Sequence, residues 1–256
     1  MIANYHTHTV RCNHAKGTEE EYILKAIEGG YRTLGFSDHT PQLFTGDYYS
    51  GFRMRPELFR DYCDTLLALR EKYAGRIDIK IGVEAEYYPG LFGKLMDFFA
   101  DYPIDYMIMG QHALGNEEND HFSGIPTKDE SILKRYVDQV IEGLSTGRFT
   151  YLAHPDMFNF IGDDETYRRH MLRLCGFALE NEIPLEMNCL GIDENRTYPC
   201  DRFFKIAGEV GNSVILGCDA HYPELVYKPE ILSKAYALAQ RHSLKLIDDV
   251  ELRSIK

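Results

Sequence analysis

Several features that would mark common classes of protein are missing from this sequence. Its six cysteines include no Cys-x-x-Cys pair and are spread through 256 residues, too long a chain for a disulfide scaffold. No apolar run approaches the ~20 residues needed to span a bilayer. The first residues also lack a basic segment followed by a long apolar stretch. We therefore expect a soluble, cytoplasmic protein that is not exported.

Basic residues are scarce relative to acidic ones. The sequence has 28 Lys and Arg against 40 Asp and Glu, a formal charge of −12, and no basic stripe. Such a charge would repel a phosphate backbone, so nucleic acid is not an expected partner. The chain also lacks Pro/Gly/Ser-rich linkers, low-complexity tracts and sequence repeats. Its length suits one large core, and we predict a single domain over residues 1–256.

The sequence does contain a regular alternation of two hydrophobic patterns. Short apolar runs predict seven strands, at residues 2–5, 33–37, 77–84, 106–110, 150–153, 184–188 and 213–217. Apolar residues at helical spacing predict helices at 56–73, 91–100, 128–145, 165–180, 200–210 and 229–242. An earlier helix begins at a capping box, Thr18-Glu19-Glu20-Glu21, and ends near Gly29. This alternation predicts an α/β fold with a parallel sheet, open or closed.

Residue types that ligate metals stand at the ends of the apolar runs. They are His6, His8, His39, Glu84, His112, His154, Asp219 and His221, and His14 follows the first run by a few residues. Residues i and i+2 of a strand share a face, so His-x-His and Asp-x-His each present two ligands to one side. Strand ends converge in a closed barrel, which favours a seven-stranded, TIM-like (β/α)7 barrel with adjacent first and last strands.

These side chains predict a metal centre with more than one ion. Imidazole and carboxylate ligands suit zinc, iron, manganese or nickel, whereas magnesium and calcium sites use mostly oxygen. Nine ligands exceed the needs of one ion, and three ions that share Glu84 would employ them all. His121, His170 and His242 do not stand at strand ends, so we assign them to surface or packing roles.

The same residues carry a resemblance to a known family. The motifs are His6-Thr7-His8 with His14, Ser37-Asp38-His39, Gly82-Val83-Glu84, Gln111-His112, Ala153-His154-Pro155-Asp156 and Cys218-Asp219-Ala220-His221. In order, spacing and residue type they resemble the PHP (polymerase and histidinol phosphatase) superfamily over nearly the full chain. Arg53-Met54-Arg55, Glu84-Ala85-Glu86-Tyr87 and Tyr198-Pro199 are similar to its histidinol-phosphate phosphatase group.

The resemblance implies a distorted seven-stranded barrel that holds three divalent ions of zinc, manganese or iron. His6, His8, Glu84 and Asp219 would bind the first ion, Glu84, His112 and His154 the second, and His14, His39 and His221 the third. The implied reaction hydrolyses a phosphate monoester, L-histidinol phosphate in histidine biosynthesis, by attack of a metal-bound hydroxide. Glu84, Asp219 and His221 would then be catalytic. A metal-bound water, Asp156 or a histidine would protonate the leaving group, and Asp156 could instead orient a metal ligand.

Fewer residues mark the contacts with the substrate. The group often has arginine where this sequence has Asn159 and Asp193, so Arg196 and Arg53 become the candidates for binding phosphate. Glu86 could attract the substrate's amine. Aromatic residues of the loops after the second and third strands could surround its organic part: Tyr48, Tyr49, Phe52, Tyr87 and Tyr88.

Three other functions remain open from the sequence. The first is a phosphoesterase of the same fold with broader specificity, acting on nucleotides or other small phosphate esters. The second is a metal-dependent amidohydrolase, although those enzymes normally use a carboxylated lysine and close with a lone Asp. The third is a metal-binding module without turnover, although none of the family's ligands is missing here.

Overall fold

Parallel strands and helices alternate along the chain, and the predicted α/β class is confirmed. A computed structural model describes residues 1–118 and 120–255. Its strands are β1 Ala3–Asn4, β2 Thr33–His39, β3 Asp78–Ala85, β4 Tyr106–Met109, β5 Leu185–Asn188, β6 Ser213–Gly217 and β7 Lys245–Ile247. Six of these lie where apolar runs predicted them.

Helices cover the outside of the strands. They are α1 Glu19–Glu28, α2 Phe59–Lys72, α3 Phe92–Phe99, α4 Glu130–Ser145, α5 Asp164–Glu180, α6 Cys189–Asp193, α7 Asp201–Val210, α8 Pro223–Val226 and α9 Pro229–Arg241. The capping box of α1 is confirmed, because the Thr18 side chain accepts from the Glu21 amide while the Glu21 carboxylate accepts from the Thr18 amide. Short helices α6 and α8 were not predicted. Within the described residues, every helix is too short or too polar to cross a membrane.

The strands form a curled parallel half-barrel. They pair as a four-stranded sheet in the order β1-β2-β3-β4 and a three-stranded sheet in the order β5-β6-β7. Leu152 forms single parallel bridges to Met109 and Leu185, which link the two sheets. A further parallel bridge joins Thr7 to Ala220, so the segments after β1 and β6 lie side by side.

Two details of the strand prediction were wrong. Residues 150–153 were predicted as a full strand, but only the bridges at Leu152 form there. Strand β7 was not predicted, because Lys245–Ile247 is only three residues long and begins with an exposed lysine. Both errors concern segments too short for a hydrophobic pattern to establish a period.

The inner face of the half-barrel is filled by a separate aromatic cluster. Tyr106 and Ile108 of β4 pack inward with Tyr5, while Met107 and Met109 pack outward against the helices. The Tyr106 hydroxyl donates to the Tyr5 carbonyl over 2.6 Å. Its ring lies directly over two glycines of the neighbouring strands, Gly35 and Gly82, where any Cβ would overlap it.

We predict that Gly82→Ala lowers the free energy of unfolding by about 1–3 kcal/mol, the usual cost of overpacking a buried site. The added methyl group would overlap the Tyr106 ring. Gly176→Ala is the control, because Gly176 lies in α5 with open space around its Cα, and alanine favours a helix. Urea unfolding of the two variants measures both changes. Equal stability of Gly82→Ala and the wild type would contradict this packing.

Candidate metal centre and substrate pocket

The carboxyl ends of the strands bring the predicted ligand residues together. His39 and Glu84 lie at the ends of β2 and β3, and His14 follows β1 after a longer segment. The others follow β1, β4, Leu152 and β6 within four residues. The described ligand atoms form overlapping groups within 4.8 Å: His6, Glu84 and His154; His6, His8 and Asp219; His8, His39 and Glu84; and His14, His39 and His221. Residues that are distant in sequence therefore share one small volume.

Glu84 lies at the centre of this cluster. Its Oε2 atom is 2.9 Å from His39 Nδ1, and its Oε1 atom is 2.8 Å from His154 Nε2 and 3.4 Å from His112 Nε2. Only 1% of the Glu84 side chain is exposed. Gly110 leaves room for this carboxylate, because a Cβ there would overlap Glu84 Oε1. Such a carboxylate can contact two neighbouring ions at once.

Asp219 forms the second carboxylate of the cluster. Its Oδ1 atom lies 3.0 Å from His8 Nε2 and 3.5 Å from His6 Nε2. The His221 ring stacks on the His8 ring with centroids 4.0 Å apart. His14, at the outer side of the group, is solvent-exposed and faces His39 and His221.

Many of the ligand atoms are buried close to one another but not in hydrogen-bond geometry, so they lack a hydrogen-bond partner. Within the described residues, these atoms are His6 Nε2, His8 Nε2, His39 Nδ1, Glu84 Oε2, Asp219 Oδ1 and His221 Nε2. Burying a polar atom without a partner costs free energy of folding. Several such lone-pair donors that converge on one point form a site for a cation. The set of imidazole nitrogens and carboxylate oxygens fits divalent transition-metal ions.

The opposite ring nitrogens of several histidines are held by protein oxygens. His6 Nδ1 lies 2.7 Å from Glu186, His8 Nδ1 lies 3.4 Å from Asp38, and His112 Nδ1 lies 2.6 Å from Glu86. Carboxylates in this position orient metal-binding histidines in many metalloproteins. The sequence interpretation missed Asp38 and Glu186 in this role. An acidic residue within the apolar run at 184–188 was the available signal.

The cluster shifts the acidity of its carboxylates. Burial alone would raise the pKa of Glu84, but the charges of His112, His39 and His6 lower that pKa well below its usual range. Asp219 behaves in the same way, because His6 and His8 outweigh the effect of burial on its pKa. Both carboxylates therefore carry a negative charge at neutral pH, as metal ligands must.

A cavity of about 170 Å³ opens beside the cluster. Its walls include seven of the nine predicted ligands, all except His6 and His8, together with Phe52, Phe122, Met157, Arg196 and Tyr198. Of the five aromatic residues predicted to surround a substrate, Phe52 alone lines this cavity within the described residues. A larger cleft of about 740 Å³ lies at the opposite end of the strands, near the start of β6 and β7, and includes none of the predicted ligands.

The two predicted phosphate-binding arginines lie in different surroundings. Arg196 lines the cavity, is partly exposed, and donates to the Tyr198 hydroxyl over 2.6 Å. Arg53 is fully buried, and its guanidinium pairs with Glu86 and Glu117. Glu86 in turn contacts His112, so these two residues support the ligands from behind and do not line the cavity. A direct contact of Arg53 or Glu86 with a substrate remains a prediction that this arrangement does not favour.

Asn159 and Asp193, which stand where the family often has arginine, both lie outside the cavity. Asp193 forms an ion pair with Lys228 and accepts from the Tyr222 hydroxyl. Asn159 donates from its side chain to the Gly124 carbonyl over 3.3 Å. Neither residue lines the cavity, so neither supplies charge to it.

Asp156 and the three remaining histidines complete the comparison with the sequence. Asp156 is buried, and burial raises its pKa to about 6. One of its oxygens accepts from the Cys200 amide and the other has no partner among the described residues. His170 and His242 pair with Glu130 and Asp201 away from the cluster, and His121 packs on Phe158, in the roles that the sequence assigned.

Two curated proteins are similar to this chain over most of its length. A probable histidinol-phosphatase of Deinococcus radiodurans is 29% identical over 231 residues, which cover 87% of both chains. A probable histidinol-phosphatase of Schizosaccharomyces pombe is 24% identical over 262 residues, covering 92% of this chain and 86% of that protein. These relatives are named as phosphatases, which is the enzyme class predicted from the sequence.

A solved structure has the same fold. The crystal structure of histidinol phosphate phosphatase from Lactococcus lactis, complexed with zinc, L-histidinol and phosphate, matches with a TM-score of 0.74. The match covers 99% of this chain and 97% of that chain at 18% identity. The family described as PHP domain matches residues 4–190, which is most of the chain. The predicted family is confirmed, and the chain belongs to the PHP domain family.

Proposed function

We propose that this protein is a metal-dependent phosphatase that hydrolyses a small phosphate monoester, with L-histidinol phosphate as its preferred substrate. The observation that carries the proposal is the convergence of six unpartnered ligand atoms beside a cavity that also contains Arg196. The names of the relatives support the choice of substrate, and the bound histidinol and phosphate of the Lactococcus lactis structure agree with it. The product would be L-histidinol, in a cytoplasmic step of histidine biosynthesis.

The proposal assigns the nine predicted ligands to three divalent ions. His6, His8, Glu84 and Asp219 would hold one ion, Glu84, His112 and His154 a second, and His14, His39 and His221 a third. One group of ligand atoms contains His6, His8 and Asp219 of the first set, and another contains the whole third set. For the second set, the support is the contact of His112 and His154 with the same oxygen of Glu84.

The chemistry needs positive charge and an activated water. Divalent ions, when bound, supply both, because they neutralise phosphate oxygens and lower the pKa of water toward neutrality. Arg196 stands at the cavity wall, where its Nε and Nη2 atoms pair with Glu194, and it would exchange this partner for the phosphate when substrate binds. Its contact with Tyr198 holds the guanidinium near His154, whose ring lies 5.7 Å from that of Tyr198. Burial raises the pKa of Asp156 to about 6, so this carboxyl can take up and release a proton at mildly acidic pH.

We further propose that the half-barrel acts as one distorted seven-stranded barrel and one domain. The bridges of Leu152 and the bridge between Thr7 and Ala220 support closure on both sides. The barrel would keep six strand ends at fixed separations, as a site with three ions requires.

A broader-specificity phosphoesterase is the second candidate. It is favoured by Asn159 and Asp193, which leave Arg196 as the arginine that lines the cavity in the described chain. One guanidinium offers less discrimination between phosphate esters than several, so nucleotides or other small esters could also be substrates.

A substrate panel combined with metal removal tests the function. We expect chelation to abolish phosphate release and the addition of zinc, manganese or iron to restore it. We also expect kcat/KM for L-histidinol phosphate to exceed that for nucleoside monophosphates, sugar phosphates and an aryl phosphate by about tenfold, or about 1.4 kcal/mol of transition-state binding. Equal values across the panel would favour the second candidate. Activity that survives chelation would contradict metal-dependent catalysis.

Arg196→Ala should raise KM and lower kcat/KM by roughly 10- to 100-fold, the scale of one or two hydrogen bonds to a charged group. Arg173→Ala is a matched control, because Arg173 is exposed and pairs with Asp138 outside the cavity. Steady-state kinetics of both variants measure the difference. Unchanged kinetics of Arg196→Ala would exclude this side chain from phosphate binding.

His221→Ala should remove one metal ion per chain and most of the turnover while the fold persists. The reason is that His221 contributes to the outermost ligand group, with His14 and His39. His242→Ala is the control, since His242 pairs with Asp201 away from the cluster. Elemental analysis of metal content and circular dichroism give the readouts. Full metal occupancy in His221→Ala would contradict its assignment as a ligand.

A further inference from the structure

Two polar residues of β5 contact three of the predicted ligands from behind. On this geometry we infer that Glu186 and Asn188 are positioning residues, which hold His6, His154 and Asp219 in the orientations that metal binding requires. The inference rests on the proposed function, because it concerns the same metal centre. It assigns to β5, which contributes no predicted ligand, the task of aligning ligands from three other segments.

Glu186 contacts two of these ligands through different oxygens. Its Oε1 atom lies 2.7 Å from His6 Nδ1, and its Oε2 atom accepts from the His154 amide over 2.9 Å. The Tyr151 hydroxyl also donates to Glu186 Oε1, over 3.4 Å. The Glu186 side chain has no exposed surface, so its carboxylate contacts only the protein interior.

Asn188 extends the same support to the third ligand. Its Nδ2 atom donates over 3.0 Å to Glu186 Oε2 and over 3.0 Å to Asp219 Oδ2. Its Oδ1 atom accepts from the Gly191 amide at the start of α6, which fixes the orientation of the amide group. The Oδ1 atom of Asp219 is therefore left to face His6 and His8.

Two of the supported ligands have an unusual backbone conformation. His154 has a φ of 28° and Asp219 a φ of 50°, in the left-handed region that residues other than glycine rarely adopt. Such conformations persist where surrounding interactions fix them, and they concentrate at functional sites. Glu186 binds the His154 amide directly, and Asn188 binds the Asp219 carboxylate.

The chain also leaves room for the Glu186 carboxylate. Gly217, the last residue of β6, lies against it, and a Cβ at this position would overlap Glu186 Oε1. Gly110 makes the same provision for Glu84. The carboxylates of Glu84 and Glu186 thus each lie against a glycine, and they face opposite nitrogens of the His6 ring. Glu84 is the one that lies among the ligand atoms without hydrogen bonds.

The Glu186 carboxylate faces Nδ1 of His6 and selects the nitrogen that can bind a metal. A carboxylate oxygen accepts a hydrogen bond from Nδ1–H, which leaves the lone pair of Nε2 free for an ion. Glutamine has nearly the same shape but cannot accept on both sides. If its oxygen faces His6, its amide group meets the donors of His154 and Asn188, and if it is reversed, the amide donates to His6 Nδ1.

Glu186→Gln tests the inference through metal affinity, with zinc as the probe. We expect the dissociation constant for zinc, measured by competition with a chelator, to rise by about 10- to 100-fold, as for other residues that orient metal ligands. We expect kcat to fall more than KM changes. Glu130→Gln is the matched control, because Glu130 also contacts a histidine, His170, but outside the cluster.

The outcomes separate this inference from the proposed function. Wild-type protein that binds none of zinc, manganese and iron would overturn both. Wild-type and Glu186→Gln proteins that bind zinc equally tightly would overturn the positioning role alone. If Glu186→Gln does not fold, nitrogen-15 NMR of zinc-loaded wild-type protein replaces it. A His6 ring with its proton on Nδ1 is expected, and a proton on Nε2 would contradict the inference.

Discussion

Two carboxylates, those of Glu84 and Asp219, are buried among imidazole rings at one end of a parallel half-barrel. A carboxylate removed from water costs several kcal/mol unless nearby groups of opposite charge compensate it. The histidines supply part of this compensation and lower both pKa values. The ligand atoms that remain without a hydrogen bond are suited to bind cations, and the surrounding residues hold those atoms in place.

The surrounding structure reflects this constraint at several distances. Gly110 leaves room for the Glu84 carboxylate, and Gly217 leaves room for that of Glu186, because a Cβ at either glycine would overlap the carboxylate. Behind the ligands, Asp38, Glu86 and Glu186 contact the ring nitrogens that face away from the centre. Arg53 then neutralises Glu86 and connects it to Glu117, so that negative charge behind the site is itself compensated. The ligands are thus hydrogen-bonded to carboxylates, and one of these carboxylates is in turn paired with an arginine. Such a connected polar network favours a single arrangement of the ligands.

Much of this could be predicted from the sequence because the signals were local. Apolar runs long enough to show a period predicted six of the seven described strands, and a capping box predicted the start of α1. Ligand-type residues at strand ends predicted one cluster, since parallel strands that follow one another along the chain end on the same side. The short strand β7 gave no such signal, and the apolar run at 150–153 predicted a full strand where only the bridges of Leu152 form. The sequence also suggested that Arg53 and Glu86 bind the substrate, which stays a prediction. In the structure these two residues pair with each other, and Glu86 contacts His112.

The sequence by itself determined the family, the α/β class and the chemical types of the nine predicted ligands, because these depend on residue identity and short spacing. The tertiary structure decided which nitrogen of each histidine faces the centre, which arginine lines the cavity, and which carboxylates stand behind the ligands. His6 and Glu186 are 180 residues apart, and their contact exists only because β1 and β5 are folded around the same interior. Contacts between such distant segments depend on the packing of the whole half-barrel, and no local pattern encodes them.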